Sequence, residues 1–472
     1  MICGSAFEFI ACTALCGNFA IMAERFEGKR IRDPVHGLIV FEEGNPRDEL
    51  AWKLLNTPEM QRLRRIRQLG VSEFVYPGAT HSRFAHSVGV YHTAKQLVEI
   101  IKRECKRNGV EFEQDKADDA ILAALLHDIG HGPFSHAFER AQKARGIRKR
   151  HEEWTADIIR NPDGDILPIL GEERAERIAA MLQAEDPSDI YHAVFSSSFD
   201  ADRLDYIRRD RMMTGTHAGH IDFDWLMDNL RVREIDLSQD EGDEKRLVPT
   251  FCFTAKAIPA AEQFLLARYT LHEQVYLHKT TRAMEIVIMR LFRRLGELAT
   301  EDPDKTGLPA NHPLLRFLAS GEPSVQDYLA LDDMMVFAAL DSLMLAKDEI
   351  VRDMARRLFC REPFKPLCIL TEYGSNPGAQ EKRIRKIDER FAEELNRPYG
   401  RVVKEHVPLK IYSLIGEDDE RAFKKIHVLD GNRLREIADV NVSRMIFSLS
   451  DKPKEIVRYY FADPADREQA RG

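Results

Sequence analysis

Residues 117–133 read ADDAILAALLHDIGHGP, and this stretch carries the reading of the fold. Apolar residues recur every three and four positions through Leu126, the period of a helix with a buried face. Gly130, Gly132 and Pro133 then stop that helix. The run Ile121–Leu126 asks to be buried, so His127 and Asp128 arrive at the edge of a core, where each polar group needs a partner. Neighbours on a helix point about 100° apart. The pair therefore reaches a single ion only at a helix junction, with other segments completing the shell. Taken alone, a helix-ending histidine beside a capping aspartate fits the dipeptide equally well.

Working outward, the same periodicity returns in LVEIIKREC (97–105), RAERIAAMLQ (174–183) and the long run 262–292. Strand-like alternation is confined to LVPTFCFTA (247–255) and RVVKEHVPLKIYSLI (401–415). Loop chemistry marks 298–313 and 372–378. The expected fold is mainly α, a helical core over 29–295 with a smaller α+β C-terminal region, 296–472, that serves assembly. Residues 9–22 are apolar but too short to span a membrane and lack the basic start of a secretory signal. Residues 1–28 are read as a poorly ordered extension, with Met22 as the natural start.

A chain of 472 residues, 44% hydrophobic and 31% charged, excludes disorder and a multi-span membrane protein. Its net charge of −9 argues against a general nucleic-acid binder. The basic run 140–150 offers one weak nucleic-acid surface, more simply a solvated loop. Of the seven cysteines, Cys3, Cys12 and Cys16 crowd the first 16 residues, while Cys105, Cys252, Cys360 and Cys368 lie far apart without a CxxC pair and point to a reducing, cytoplasmic setting.

Seven of the sixteen histidines crowd into residues 81–151: His81, His86, His92, His127, His131, His136 and His151. Two further segments join this cluster. HSRFAHS (81–87) precedes a helix and supplies Arg83 and His86. In DADRLDYIRRD (200–210), Asp202, Tyr206 and Asp210 fall at i, i+4 and i+8, one stripe, with Arg203 at its flank. Asp205 and Arg209 read as an i,i+4 surface ion pair. His36, His92, His192, His217, His220, His312, His406 and His427 read as packed or solvated residues.

The ordered words RIRQLG, FVYPGATHSRFAHSVGV, HDIGHGPFSH, RHEEW and DADRLDYIRRD resemble one family. It is the deoxynucleoside triphosphate (dNTP) triphosphohydrolase branch of the HD-domain metal-dependent phosphohydrolases. The resemblance covers residues 29–290. It implies an H…HD…D metal site of His86, His127, Asp128 and Asp202. A mixed nitrogen and oxygen shell suits Mn, Fe, Mg, Zn or Co. The implied reaction releases inorganic triphosphate from a dNTP. Arg83, His136, Arg203, Tyr206 and Arg268 match phosphate contacts. His151 matches a catalytic histidine, and it or His136 is the acid for the departing 5′ oxygen. Glu152 would orient it, and His131 faces the phosphates or supports the site.

For the sugar, Gln68 and Asp210 match contacts to the 3′ hydroxyl, and Leu69 and Tyr276 match a wall excluding a 2′ hydroxyl. Arg268, His272 and Tyr276, at i, i+4 and i+8, would share a helix face. Tyr276 as a plain core residue and His151 as a solvated one are the bland alternatives. The resemblance also implies a homo-oligomer, dimer or tetramer, activated by nucleotides at interfaces. Lys29, Gln61, Arg64, Lys256, His278, Lys279 and Arg361 occupy positions resembling those sites. Asn56 replaces the aspartate that reads guanine, Arg32 and Ala260 replace asparagines, and Glu139 replaces a shorter aspartate. Asn offers one acceptor and a donor where Asp accepts twice, so guanine specificity is not expected. Two other functions compete: an HD phosphatase or phosphodiesterase for another nucleotide, and a non-catalytic nucleotide sensor.

Overall fold

The computed structural model describes residues 28–184, 189–236, 247–374, 376–411, 424–431, 433–451 and 454–472. The proposed extension therefore lies outside the described residues except for Gly28, as do residues 412–415 of the second strand-like stretch. The hairpin β1 (Gly28–Asp33) and β2 (Gly37–Glu42) comes first. Then come α1 (Pro46–Leu55), α2 (Pro58–Arg62), α3 (Arg83–Asn108), α4 (Gln114–Leu126) and α5 (His136–Ala144). They are followed by α6 (His151–Ile159), α7 (Ile166–Leu170), α8 (Glu172–Gln183), α9 (Ala201–Thr214) and α10 (Phe223–Asp228). Strands β3 (Leu230–Asp236) and β4 (Leu247–Thr254) precede α11 (Ile258–Leu271) and α12 (Lys279–Glu301).

Four more helices pack next: α13 (Pro313–Ala319), α14 (Val325–Leu329), α15 (Asp333–Leu343) and α16 (Glu349–Phe359). The remaining strands among the described residues are β5 (Lys365–Cys368), β6 (Val402–Leu409), β7 (His427–Asp430), β8 (Arg433–Glu436) and β9 (Lys454–Phe461). The fold is mainly α, as its apolar spacing predicts. No described helix is long and apolar enough to cross a membrane.

The centre is α3, a long helix packed against α4 and α9. Every residue from Ala120 to Leu126 is buried, and each large aliphatic side chain so placed contributes about 1.5–3 kcal/mol. The helical packing runs on through residue 295. α12 crosses it, and Leu314, Phe317, Leu340 and Leu358 share one apolar cluster with Leu122 and Ile207. β7 pairs in parallel with β4, Val428 opposite Phe253, so C-terminal residues complete a sheet begun by β3 and β4. A second sheet has the order β5-β9-β6.

The run 262–292 is not one helix. α11 ends at Leu271, a single π turn covers His272–Tyr276, and the Leu277 N–H closes on the His272 carbonyl at 2.8 Å. His278 then leaves helical geometry and its ring accepts from the Thr280 N–H, restarting the chain as α12. Apolar period alone does not reveal such a break, because both halves keep their faces on the same core.

Candidate metal and phosphate site

Three helix ends build the site. Ser82 caps α3, accepting from the Ala85 N–H, which sets Arg83 and His86 on its first turn. α4 delivers His127 and Asp128 into a tight turn where the His131 N–H bonds the Asp128 carbonyl. Asp200 caps α9 through the Arg203 N–H, presenting Asp202 on the first turn of that helix.

His86 Nε2 lies 3.0 Å from Asp202 Oδ1 and 3.8 Å from Asp128 Oδ2. His127 Nε2 lies 3.3 Å from Asp128 Oδ1 and 3.8 Å from Asp202 Oδ1. All four sequence-predicted metal residues thus meet. The outward nitrogens have fixed roles. His127 Nδ1 donates to the Ala124 carbonyl at 2.8 Å, and His86 Nδ1 faces Asp205 Oδ2 at 2.7 Å. Each Nε2 is then a lone-pair donor turned toward the carboxylates, buried and without an aligned hydrogen bond. Burial opposes a charged His86, yet the Asp202, Asp205 and Asp128 carboxylates raise its pKa to about 10, so a cation bound there would take the place of the Nε2 proton. Such concentrated negative charge fits a cation. His86, His127 and Asp202 bring their ligand atoms within 4.8 Å of one another, a donor set for a divalent metal, and Asp128 lies beside it at 3.3 Å from His127 and 3.8 Å from His86.

The expected surface pair of Asp205 and Arg209 is corrected here. Both are buried, and Arg209 clamps Asp205 with Nε at 2.8 Å and Nη2 at 2.9 Å while Nη1 reaches Asp33 at 2.7 Å. His36 Nε2 adds a contact to Asp205 Oδ1 at 2.6 Å. Spacing told which residues are neighbours but not which face of α9 meets α3. Gly89 makes that meeting possible, since a Cβ there would fall 1.9 Å from Asp205 Oδ1. Asp205 therefore orients His86, and His36, given no functional role from sequence, supports Asp205.

Beside the metal residues stands a group of histidines. Gly130 lets α6 approach, because a Cβ there would sit 2.2 Å from the His151 carbonyl oxygen. The His131 and His151 rings stack with centroids 4.0 Å apart, and His131 Nε2 lies 3.2 Å from Asp128 Oδ1. Glu139 bridges the other two: Oε1 is 2.8 Å from His151 Nδ1 and Oε2 is 3.2 Å from His136 Nδ1. Glu152 Oε2 is farther, 3.4 Å from His151 Nδ1, and lacks an aligned hydrogen bond. The orienting carboxylate is thus Glu139, on the neighbouring helix, rather than the sequence-adjacent Glu152. Burial opposes a charged His151, but its hydrogen bond to Glu139 carries the pKa upward. Burial, then Arg83 and His151, drive His131 well below the ordinary range. The two stacked imidazoles are thus pushed in opposite directions by their surroundings.

Residues expected from the sequence to meet a sugar and phosphates also lie near one another. Tyr276 Oη donates to Asp210 Oδ2 at 2.6 Å, and His81 Nε2 lies 2.8 Å from Asp210 Oδ1. The Gln68 N–H bonds the His81 carbonyl at 3.0 Å, placing Gln68 and Leu69 beside that chain. The π turn keeps His272 against Tyr276, ring centroids 4.7 Å apart, with Tyr206 at 6.2 Å from Tyr276. Burial pushes the Tyr206 phenol up to about 12, against Arg268 and Arg203 nearby. Tyr206 Oη, Gln68 Oε1 and both His272 nitrogens are buried without partners, an inventory of polar atoms shaped for a polar ligand. Arg83 Nη1 holds Asp128 at 2.5 Å, and Arg203 Nη1 holds Asp200 at 2.5 Å. His136 is mostly exposed.

The regulatory candidates are exposed or half-buried. Lys29, Lys256 and Lys279 are exposed. Arg64 Nε donates to Gln61 Oε1 at 2.8 Å, the His278 ring meets Tyr76 at 5.9 Å, and Arg361 Nε donates to the Phe74 carbonyl.

Residues 83–212 match the HD domain family model, a span that contains His86, His127, Asp128 and Asp202. YwfO, an uncharacterized Bacillus subtilis protein, is 29% identical over 453 residues, covering 92% of each chain. A Dictyostelium discoideum protein named deoxynucleoside triphosphate triphosphohydrolase SAMHD1 homolog is 27% identical over 361 residues. That match covers 71% of this chain and 65% of the relative. A solved phosphohydrolase from Bacteroides thetaiotaomicron is 26% identical with a TM-score of 0.69, covering 92% of this chain and 100% of that one.

Proposed function

The chain carries an HD domain over residues 83–212, and on that footing we propose that it hydrolyses dNTPs to a deoxynucleoside and inorganic triphosphate. The observation that carries the reading is the Tyr276–Asp210–His81 chain, whose Asp210 shares one stripe of α9 with Tyr206 and with Asp202 of the His86, His127, Asp128 and Asp202 cluster. A divalent metal held by those four side chains would supply Lewis-acid polarisation of the phosphoryl group. Arg203, Tyr206 and Arg268 bind the phosphate oxygens, and Arg83 does so while holding Asp128. His151, whose pKa Glu139 raises, donates its proton to the departing 5′ oxygen. Gln68 and Asp210 take the 3′ hydroxyl, and Leu69 and Tyr276 crowd the 2′ position. Nucleotide-activated homo-oligomers, dimers or tetramers, belong to the same proposal. An HD phosphatase or phosphodiesterase acting elsewhere would leave the sugar contacts without a purpose.

Two expected results follow from these roles. Tyr276→Ala raises ribonucleotide turnover relative to dNTP turnover about tenfold, because crowding against one hydroxyl discriminates only modestly. Its metal content stays at the wild-type level, and an unchanged ratio would place the sugar wall elsewhere. His151→Ala lowers kcat about a hundredfold or more with little change in KM; a loss confined to KM would reject the acid role. In the wild type, rate falls as pH rises through the raised His151 value and the proton is lost. Glu139→Gln removes the raising charge, so this basic limb moves to lower pH in a pH–rate profile.

A further inference from the structure

Asp333 opens α15, outside the HD domain, and is fully buried. Its two oxygens are used on two backbone amides from distant segments. Oδ2 accepts from the Arg67 N–H at 2.8 Å and Oδ1 from the Phe134 N–H at 2.7 Å, 266 and 199 residues away in sequence. A carboxylate taken from water is tolerated only where such bonds replace hydration. Burial pushes its pKa up to about 7, with both amides and Arg83 opposing.

The two amides begin the two segments that flank the proposed substrate pocket. Arg67 precedes Gln68 and Leu69, and Phe134 precedes Ser135 and His136. Phe134 and Ser135 have φ of +54° and +51°, a conformation that costs a non-glycine residue about 1–3 kcal/mol. It persists where neighbours over-determine it. Phe337, one turn along α15, meets the Phe134 ring edge-on at 5.4 Å, and Arg83 Nε donates to Ser135 Oγ at 2.9 Å. The start of α15 also holds the first segment upstream of Arg67. Arg62 Nε donates to the Leu331 carbonyl at 2.8 Å, and Arg65 Nε to Asp332 Oδ2 at 2.6 Å.

The geometry points to Asp333 as a positioning residue for the proposed hydrolysis. It clamps Arg67–Leu69 and Phe134–His136 at one separation, so that Gln68 and Leu69 meet the sugar while Arg83, braced on Ser135, and His136 meet the phosphates. This assignment rests on the dNTP reading of the site. Asp333 touches neither the metal residues nor a reacting atom.

The test uses the full-length, metal-loaded chain with Asp333→Asn and Asp333→Ala. Asn keeps the shape but turns an NH2 toward one of the two amide hydrogens, and Ala removes both acceptors. Metal content is expected to hold in Asp333→Asn while kcat falls about tenfold or more, proportionally more than KM rises. Amide hydrogen exchange is expected to accelerate at 67–69 and 134–136, with α4 still protected. A wild-type kcat, or exchange unchanged at both segments, would overturn the clamp. So would a uniform rise in exchange with loss of metal, the mark of a merely structural role. If the wild type turns over no dNTP, the reading of the site fails, and exchange at the two segments alone decides the clamp.

Discussion

Asp202→Ala is expected to lose bound metal and turnover together. Asp202 Oδ1 lies within 3.8 Å of both His86 Nε2 and His127 Nε2, and it is the only one of the four proposed metal residues contributed by α9. Removing it leaves Asp128 as the remaining carboxylate, and Asp128 is already shared with Arg83. His127→Ala should behave alike, because it removes one of the two nitrogen donors. Elemental analysis after gel filtration and a phosphate-release assay check the pair of losses. Activity should drop to background rather than by a modest factor, since the Lewis acid and its contact to the phosphoryl group disappear at once. Full activity with full metal content would place the metal elsewhere.

The second large effect is expected at a residue that touches no ligand. Gly89→Ala puts a methyl group 1.9 Å from Asp205 Oδ1 and 2.4 Å from Arg209 Nη2. Helix propensity alone would make this change stabilising by up to about 1 kcal/mol. The buried pair decides otherwise. Asp205 and Arg209 cannot swing aside, because His36, His86 and Asp33 hold them from the other directions. Breaking such a buried pair costs about 3–5 kcal/mol, against total stabilities of about 5–15 kcal/mol. Denaturant unfolding should therefore show a loss of this size, and metal affinity should fall about 10–100-fold as His86 loses its orienting partner. An unchanged midpoint would show that α3 and α9 can separate without penalty.

The sequence made some of this plain and hid the rest for identifiable reasons. His127 and Asp128 were legible because the buried run Ile121–Leu126 ends directly before them, a local event. The stripe of Asp202, Tyr206 and Asp210 was legible because helical spacing puts them on one face. Asp205 was misread because spacing cannot say which side of α9 is buried, and only its contact with α3 at Gly89 answers that. Glu139 was named only as a departure, since its bond to His151 joins two helices across a turn. Asp333 carried no signal, as its partners are backbone amides far along the chain. The break at His272–Tyr276 was invisible to periodicity, since both sides of it face the same core.

The central claim is tested most directly by the products. The chain, loaded with Mn or Mg, is incubated with the four dNTPs together and then singly, and the phosphorus products are identified by 31P NMR. Inorganic triphosphate with free deoxynucleoside is the predicted result, and turnover only in the mixture would reveal an activating nucleotide. Orthophosphate or pyrophosphate as the first product, or no turnover of any dNTP, would contradict the account.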